Sequence, residues 1–362
     1  MEVSIVNGKS GAQAGSSAHD AVSRPSAARV AVLIVNWNGG DLLQRCLDCL
    51  VRQTRAPDRI VIVDNASSDR SIDRVSAAYP FEVVRLAVNE GFAGANNRGV
   101  KAVADCEFVA LLNPDAFPQP GWLNALLRAA QDHPEAASFG SHMRMAQAPE
   151  RIDGMGDAYH VSGVAWRERH GLPAPVPTPP AREIFSACAA AALYRHDAFL
   201  EAGGFDESYF CYFEDVDLGF RLRLLGYTCR YVADAVVDHM GSASLGYASD
   251  FAIYHGNRNL VWTYFKDMPA ALLWLYLPQH LLWNLASLCY MPLHGRGRVI
   301  GRSKWDALRG LGSVFRRRRA VQAGRRVSIG ELRRAMATGP FTPYVRYLRS
   351  RRALARVING GA

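Results

Sequence analysis

Three observations predict an α/β fold in which a mostly parallel sheet is flanked by helices. Continuous β-branched runs alternate with helix-length stretches, and each run stops at a polar cluster. The chain has 362 residues, 49% hydrophobic and 21% charged, which is enough to bury a substantial core. The first run, residues 29–35 (RVAVLIV), lacks polar alternation and so suits a strand covered on both faces. It gives way to Asn36, Trp37, Asn38 and two glycines, then to a helix predicted over 41–53. Residues 59–63 (RIVIV) predict a second strand that delivers Asp64, and 83–86 a third that leads into 89–99 (NEGFAGANNRG). A fourth, 108–112 (FVALL), ends in Asn113-Pro114-Asp115. Ligands of such sheets bind beyond the carboxyl ends of the strands, where all these clusters fall.

Residues 203–218 (GGFDESYFCYFEDVDL) set five carboxylates among aromatic side chains, an expensive arrangement that marks a site rather than a decorated surface. Leu218, Leu222 and Leu225 then recur at one-face helical spacing, and Gly226 supplies a left-handed stop. Glu214, Asp215 and Asp217 therefore open a helix, whose dipole favours the ionised carboxylate that a general base needs. Asp217 and Arg221, one turn apart, are spaced for a helix ion pair. Between these regions, the proline-rich segment 171–180 predicts an extended loop or flap. The small apolar run 185–193 (FSACAAAAL) suits close packing near a bound ligand, and 229–232 predicts a further strand running toward Asp238-His239.

Charge divides the chain. From Gly295 onward, 17 Arg and one Lys face one Asp and one Glu, a net of +16, so the first 294 residues carry −7 of the total +9. A basic tail on an acidic body suits an anionic surface. Residues 268–293 lack a formal charge over a length that could span a bilayer, yet Pro278, Gln279, His280 and Asn284 in the middle are costly in hydrocarbon. Helices lying at a membrane interface fit better than a span or a core helix. Residues 1–28, rich in Ser, Ala and Gly, read as a flexible leader. The seven scattered cysteines read as reduced thiols, with Cys46 and Cys49 as buried helix positions, because one CxxC pair cannot complete a tetrahedral metal shell.

The segments IVNWNG, VDNASSD, NEGFAGANNRG, LLNPDA, GGFDESYFCYFEDVDLGFRLRLLGY, VVDH and HGNRN, in this order across residues 30–265, resemble the family 2 inverting glycosyltransferases, rhamnosyltransferase-like branch. The resemblance implies a GT-A nucleotide-sugar domain over 29–265, with 266–362 an apolar helical, membrane-associating segment and basic tail. By the same resemblance Asp64 bonds the base, with Asn36 and Trp37 beside it, and Gly91, Phe92, Asn96 and Asn97 lie over the nucleotide sugar. Asn113-Pro114-Asp115 stands where relatives carry Asp-x-Asp, leaving Asp115 as the one carboxylate ligand for Mn²⁺ or Mg²⁺, with His239 completing the metal site. Arg258 would meet the diphosphate or the acceptor. Asp215 is the expected base, with Glu214 either the alternative base or a positioner of the acceptor.

The implied reaction moves L-rhamnose from dTDP-rhamnose to a lipid-linked or polysaccharide acceptor at the cytoplasmic face of the membrane. UDP-galactofuranose and UDP-glucose are alternative donors. A sugar nucleotidyltransferase would be expected to show a glycine-rich phosphate loop near the N-terminus, which residues 36–40 do not provide. A nucleic-acid partner is not expected, since acids at 64, 115, 214 and 215 repel phosphate without a cation.

Overall fold

A computed structural model describes residues 3–6, 28–76, 80–241 and 249–349. The strands are β1 (Val3–Val6), β2 (Val30–Asn36), β3 (Arg59–Asp64), β4 (Phe81–Arg85), β5 (Phe108–Leu112), β6 (Ala116–Pro118), β7 (Ala136–Met145), β8 (Ala148–Gly154), β9 (Asp157–Tyr159), β10 (Ala165–Arg167), β11 (Arg182–Glu183), β12 (Ala191–Arg195) and β13 (Thr228–His239). The helices are α1 (Gly40–Val51), α2 (Ser71–Arg74), α3 (Gly91–Ala102), α4 (Trp122–Asp132), α5 (His196–Glu201), α6 (Glu214–Leu224), α7 (Asp250–Asp267), α8 (Ala270–Tyr290), α9 (Gly297–Ala323) and α10 (Ile329–Arg334).

The main sheet runs β1-β4-β3-β2-β5-β12-β7-β13-β11. Neighbours from β4 to β5 are parallel, β12 runs against both β5 and β7, and β13 is parallel to β7. Strands β2, β3, β4, β5, β7 and β13 therefore point one way, their carboxyl ends sharing one edge, and β12 and β8 run against them. Strand β2 explains its own unbroken apolar run: Val30, Val32 and Ile34 face the core beneath α1 and α4, while Ala31 and Leu33 face the core beneath α3, α5 and α6. Cys46 and Cys49 are buried free thiols on α1, as expected. Val3–Val6, within the stretch read as a leader, pairs antiparallel with β4; residues 7–27 lie outside the described residues.

The acids do open a helix. Phe213 precedes α6 at φ 70°, and Gly226 follows it at φ 99°, the left-handed stop anticipated. Gly219 lets α6 lie close on the Phe185-Ser186 segment between β11 and β12, since a Cβ there would sit 2.3 Å from the Ser186 Cβ. The Asp217–Arg221 pair forms at 2.6 Å, but in the interior rather than on a solvated face. Lys266 also bridges Asp217 and Asp206, and Arg317 of α9 meets Asp206 at 3.1 Å. Position 265/266, where the sequence suggested a domain boundary, thus falls inside α7 beside a buried charge network that ties α7 and α9 to α6.

Residues 268–293 become the single helix α8 around Pro278. Among the described residues no helix is long and apolar enough to cross a membrane. Leu272, Leu273, Tyr276 and His280 are buried, with His280 stacked on Tyr264 (centroids 3.9 Å apart) and bonded to the Ser162 carbonyl. The other side exposes Trp274, Leu275, Leu281, Leu282 and Leu285. The polar residues that argued against a span are thus explained in part by packing, and an apolar stripe remains outward.

Candidate active site

A cavity of about 1050 Å³ opens over the shared strand ends. Trp37 from the β2 end, Asn65 from the β3 end, Gly91 and Phe92 opening α3, and Asn113 and Asp115 after β5 all line it, together with Glu214, Asp215 and His239. Gly91 is required by geometry as well as by φ (73°): a Cβ would lie 2.4 Å from the Phe210 carbonyl.

Register brings Asp115 and His239 together. Strand β6 begins one residue after Asp115 and pairs with the end of β13, His239 opposite Ala116. The Asp115 carboxylate lies 3.4 Å from His239 Nε2, and the buried Asp153 carboxylate holds Nδ1 at 2.8 Å. Burial alone would lower the imidazole pKa, but Asp153 and Asp115 raise it to about 9. Asp153 also meets Arg167 at 2.8 Å. The donor set suits a divalent cation: a carboxylate and an imidazole whose buried Nε2 makes no hydrogen bond, with a carboxylate behind the ring fixing its orientation. Among the described residues no group of three or more His, Cys, Asp or Glu could hold a metal by itself, so further oxygens would come from a bound diphosphate.

In the same cavity, Asp215 is half-buried at the start of α6. Its carboxylate accepts the N–H of Ala189 (3.2 Å) and of Val216 (2.8 Å). The small run 185–193 thus does adjoin the site, and Cys188, Ala189 and Ala190 form its wall. The sequence expected the helix terminus to keep Asp215 readily ionised. Instead burial raises its pKa, against the lowering by Ala189, Arg167 and Val216. Burial and the Asp215 charge push Asp157 and Glu214 well up, so these two hold protons more readily, while the Asp215 carboxylate accepts two backbone N–H groups. Glu214 Oε2 is buried without a partner.

Several anticipated residues are not on the wall. Asn36 is buried and donates to Ser67 (3.0 Å), Ser71 (2.9 Å) and, at 3.5 Å, Asp64, so it braces the β2 and β3 ends instead of touching a ligand. Asp64 sits one residue before the wall residue Asn65 and meets Arg85 at 3.4 Å. Asn96 donates to the Phe92 carbonyl, and Asn97 exchanges bonds with the Phe205 backbone, so both amides serve the fold. Arg258 donates to the Ser208 and Tyr209 carbonyls and lies 4.3 Å over Trp262; it fastens the loop before α6. Conversely, Asp153, Asp157 and Arg167 emerged only from the structure. Their one signal is a pair of acids among glycines and apolar residues (IDGMGD, 152–157), polarity that a buried strand needs a reason to carry.

Strand-end carboxylates facing a large cavity in a mainly parallel sheet of this kind define the nucleotide-sugar transferase fold called GT-A. Two solved structures share it: GalNAc-T7 with UDP, GalNAc and Mn²⁺ (TM-score 0.55, 15% identity, 71% of this chain and 50% of that one), and a mannosyltransferase from Pyrobaculum calidifontis with GDP-Man and Mn²⁺ (TM-score 0.50, 18% identity, 82% and 84%). Residues 31–201 match the glycosyl transferase family 2 model. The chain is 31% identical over 249 residues to the N-acetylglucosaminyl-diphospho-decaprenol L-rhamnosyltransferase of Mycobacterium tuberculosis, covering 62% of this chain and 80% of that protein. The chain belongs to glycosyltransferase family 2 and is a glycosyltransferase.

Proposed function

We propose that the protein transfers L-rhamnose from dTDP-rhamnose, with inversion, to a hydroxyl of a lipid-linked glycan during cell-surface polysaccharide assembly. The observation that carries this reading is one cavity holding both the Asp115–His239 pair and Asp215, whose carboxylate accepts two backbone N–H groups. The mycobacterial relative's name supports rhamnose as donor sugar and a lipid-diphosphate acceptor.

Trp37 and Asn65 flank the nucleotide, and Gly91 allows the backbone to approach the sugar. Asp115 and His239 would hold Mn²⁺ or Mg²⁺, and the cation would supply charge neutralisation for the leaving group. The acceptor oxygen bonds to the anomeric carbon, the bond from that carbon to the diphosphate oxygen breaks, and Asp215 takes the hydroxyl proton. Glu214 and Asp157, more readily protonated, leave Asp215 as the base.

The outward apolar stripe of α8 and the arginines of α9 rest on anionic lipid, making the enzyme peripheral at the cytoplasmic face of the membrane. The test is a thermal-shift screen of dTDP-rhamnose, UDP-galactofuranose, UDP-glucose and GDP-mannose with Mn²⁺, because a ligand of the native state raises its stability. dTDP-rhamnose should give the largest shift; a larger one with a UDP-sugar would reassign the donor, and no shift with any would overturn the reading.

A further inference from the structure

We propose that the cavity wall built by Trp283, Arg346, Tyr347 and Arg349 binds the diphosphate and the first isoprene units of the acceptor's lipid carrier. This rests on the reading of a lipid-linked acceptor. The four acids on the wall, Asp115, Asp157, Glu214 and Asp215, come from strand ends and the start of α6, where sugar chemistry is proposed. Two arginines of the wall come from elsewhere, Arg346 and Arg349 from the C-terminal segment, whereas Arg167 sits beside the acids. A second anionic group in the same cavity would be drawn to the arginines and away from the acids.

The C-terminal segment is fastened in place. The Ala337 N–H donates to the Tyr159 carbonyl (2.9 Å), the Val161 N–H donates to the Ala337 carbonyl (3.0 Å), and a His160 ring nitrogen meets the Gly339 carbonyl at 3.0 Å. Arg346 lies 3.5 Å from Glu168 and 6.0 Å from the centre of the Trp166 ring, another wall residue. Trp283 lies 5.1 Å from Tyr344 and 6.5 Å from Tyr347 between ring centres, an aromatic surface suited to an isoprenoid. Trp283 also belongs to α8, the helix whose opposite residues Trp274, Leu281, Leu282 and Leu285 are exposed. One helix thus offers aromatic surface to the cavity and apolar surface to the outside. A lipid-diphosphate sugar presents a sugar, two phosphates and an apolar chain, and the site offers carboxylates, guanidiniums and aromatics for these parts in turn. All four proposed residues lie beyond the family-matched residues 31–201.

The test is equilibrium dialysis of full-length protein with radiolabelled farnesyl diphosphate, in the presence of saturating dTDP or UDP and Mn²⁺. Saturable binding that survives the nucleotide, weakens about tenfold or more in the Arg346→Ala, Arg349→Ala double variant, and is poorly displaced by inorganic diphosphate supports the proposal. Binding abolished by nucleotide, unchanged in the double variant, or displaced equally by inorganic diphosphate would overturn it. The nucleotide-induced thermal shift of the variant reports its fold. A Trp283→Ala variant gives a second measure, with affinity for the prenyl compound reduced and that for inorganic diphosphate kept. Failure of the nucleotide to bind wild-type protein would sink the donor reading, while the dialysis still decides the prenyl-diphosphate wall.

Discussion

Replacing Asp215 by Asn separates chemistry from fold. The carboxylate accepts from Ala189 at 3.2 Å and from Val216 at 2.8 Å, whereas an amide has one oxygen. Kept on Val216, that oxygen leaves the Ala189 N–H without its partner, a cost of about 1 kcal/mol. A gain opposes this loss. Burial raises the Asp215 pKa, and an acid raised in the folded state contributes stability that is present below its unfolded value, near ~3.9, and lost as pH climbs through the folded one. At neutral pH the ionised group therefore costs stability, and Asn removes that cost together with the repulsion on Asp157 and Glu214. The two effects should leave stability within about 1 kcal/mol of the wild type, a shift of a few degrees in Tm. Turnover has no such offset, because an amide cannot accept the acceptor proton. A loss of roughly 10²- to 10⁴-fold is expected, about 2.7–5.4 kcal/mol of barrier. The assay combines nucleotide-diphosphate release under saturating donor, donor affinity and thermal unfolding. Near-wild-type turnover in Asp215→Asn, with the loss appearing in Glu214→Gln or Asp157→Asn, would refute the assignment; so would lost turnover that merely follows lost folding.

The raised Asp215 pKa also predicts that kcat/KM falls as pH drops through a value above the ordinary carboxylate range, near ~3.9; an acid limb at or below that value would contradict the base role. Chelation should abolish turnover and added Mn²⁺ or Mg²⁺ restore it, while His239→Ala should need at least about tenfold more metal for half-activity; chelator-resistant activity would remove Asp115 and His239 from the cation. Lys266→Met leaves Asp206 and Asp217 with less compensation in the interior and should cost about 3–5 kcal/mol by urea unfolding, whereas a loss under about 1 kcal/mol would show the network to be dispensable. Leu281→Glu with Leu285→Glu should reduce co-sedimentation with anionic vesicles several-fold, and unchanged recovery would rule out α8 as the membrane face.

What was legible in the sequence follows physical periodicity. Strands β2, β3 and β5 announced themselves because burial on both faces removes polar residues altogether, and their ends pointed to Trp37, Asn113 and Asp115 on the cavity wall. Helix α6 was legible because its leucines, its acids and Gly226 agree on one boundary. What failed was the direction of short polar side chains. Asn36, Asn96 and Asn97 look alike whether they bond a sugar or the protein, and only the folded structure shows Asn36 turned to the Ser67 and Ser71 hydroxyls and Asn96 and Asn97 to backbone carbonyls. Arg258 was ambiguous for the same reason, since a guanidinium finds carbonyls in the loop 208–209 as readily as phosphate. Asp153 and Asp157 stayed hidden because their partners, His239 and Arg167 for one and Asp215 for the other, are remote in sequence or fall on irregular strands.

Helix α6 joins the chemistry to the C-terminal helices, and the join is electrostatic. Asp215 faces the cavity with Arg167 as the cation that acts on it, whereas Asp217, two residues on, is buried with Arg221 and Lys266. Burial pushes both acids toward the protonated form. For Asp217 Arg221 and Lys266 outweigh it and hold the pKa well below the usual carboxylate range, while for Asp215 backbone N–H groups and Arg167 do not. The same helix turn thus contains one carboxylate locked as a structural ion and one poised to exchange a proton. Because Lys266 lies on α7, with α9 adding Arg317 to the same network, α9, proposed to meet the membrane, also helps fix the backbone that aims Asp215. A mutation that loosens α7 should therefore lower turnover before it unfolds the sheet, since the sheet core beneath α1 and α4 does not depend on these ions.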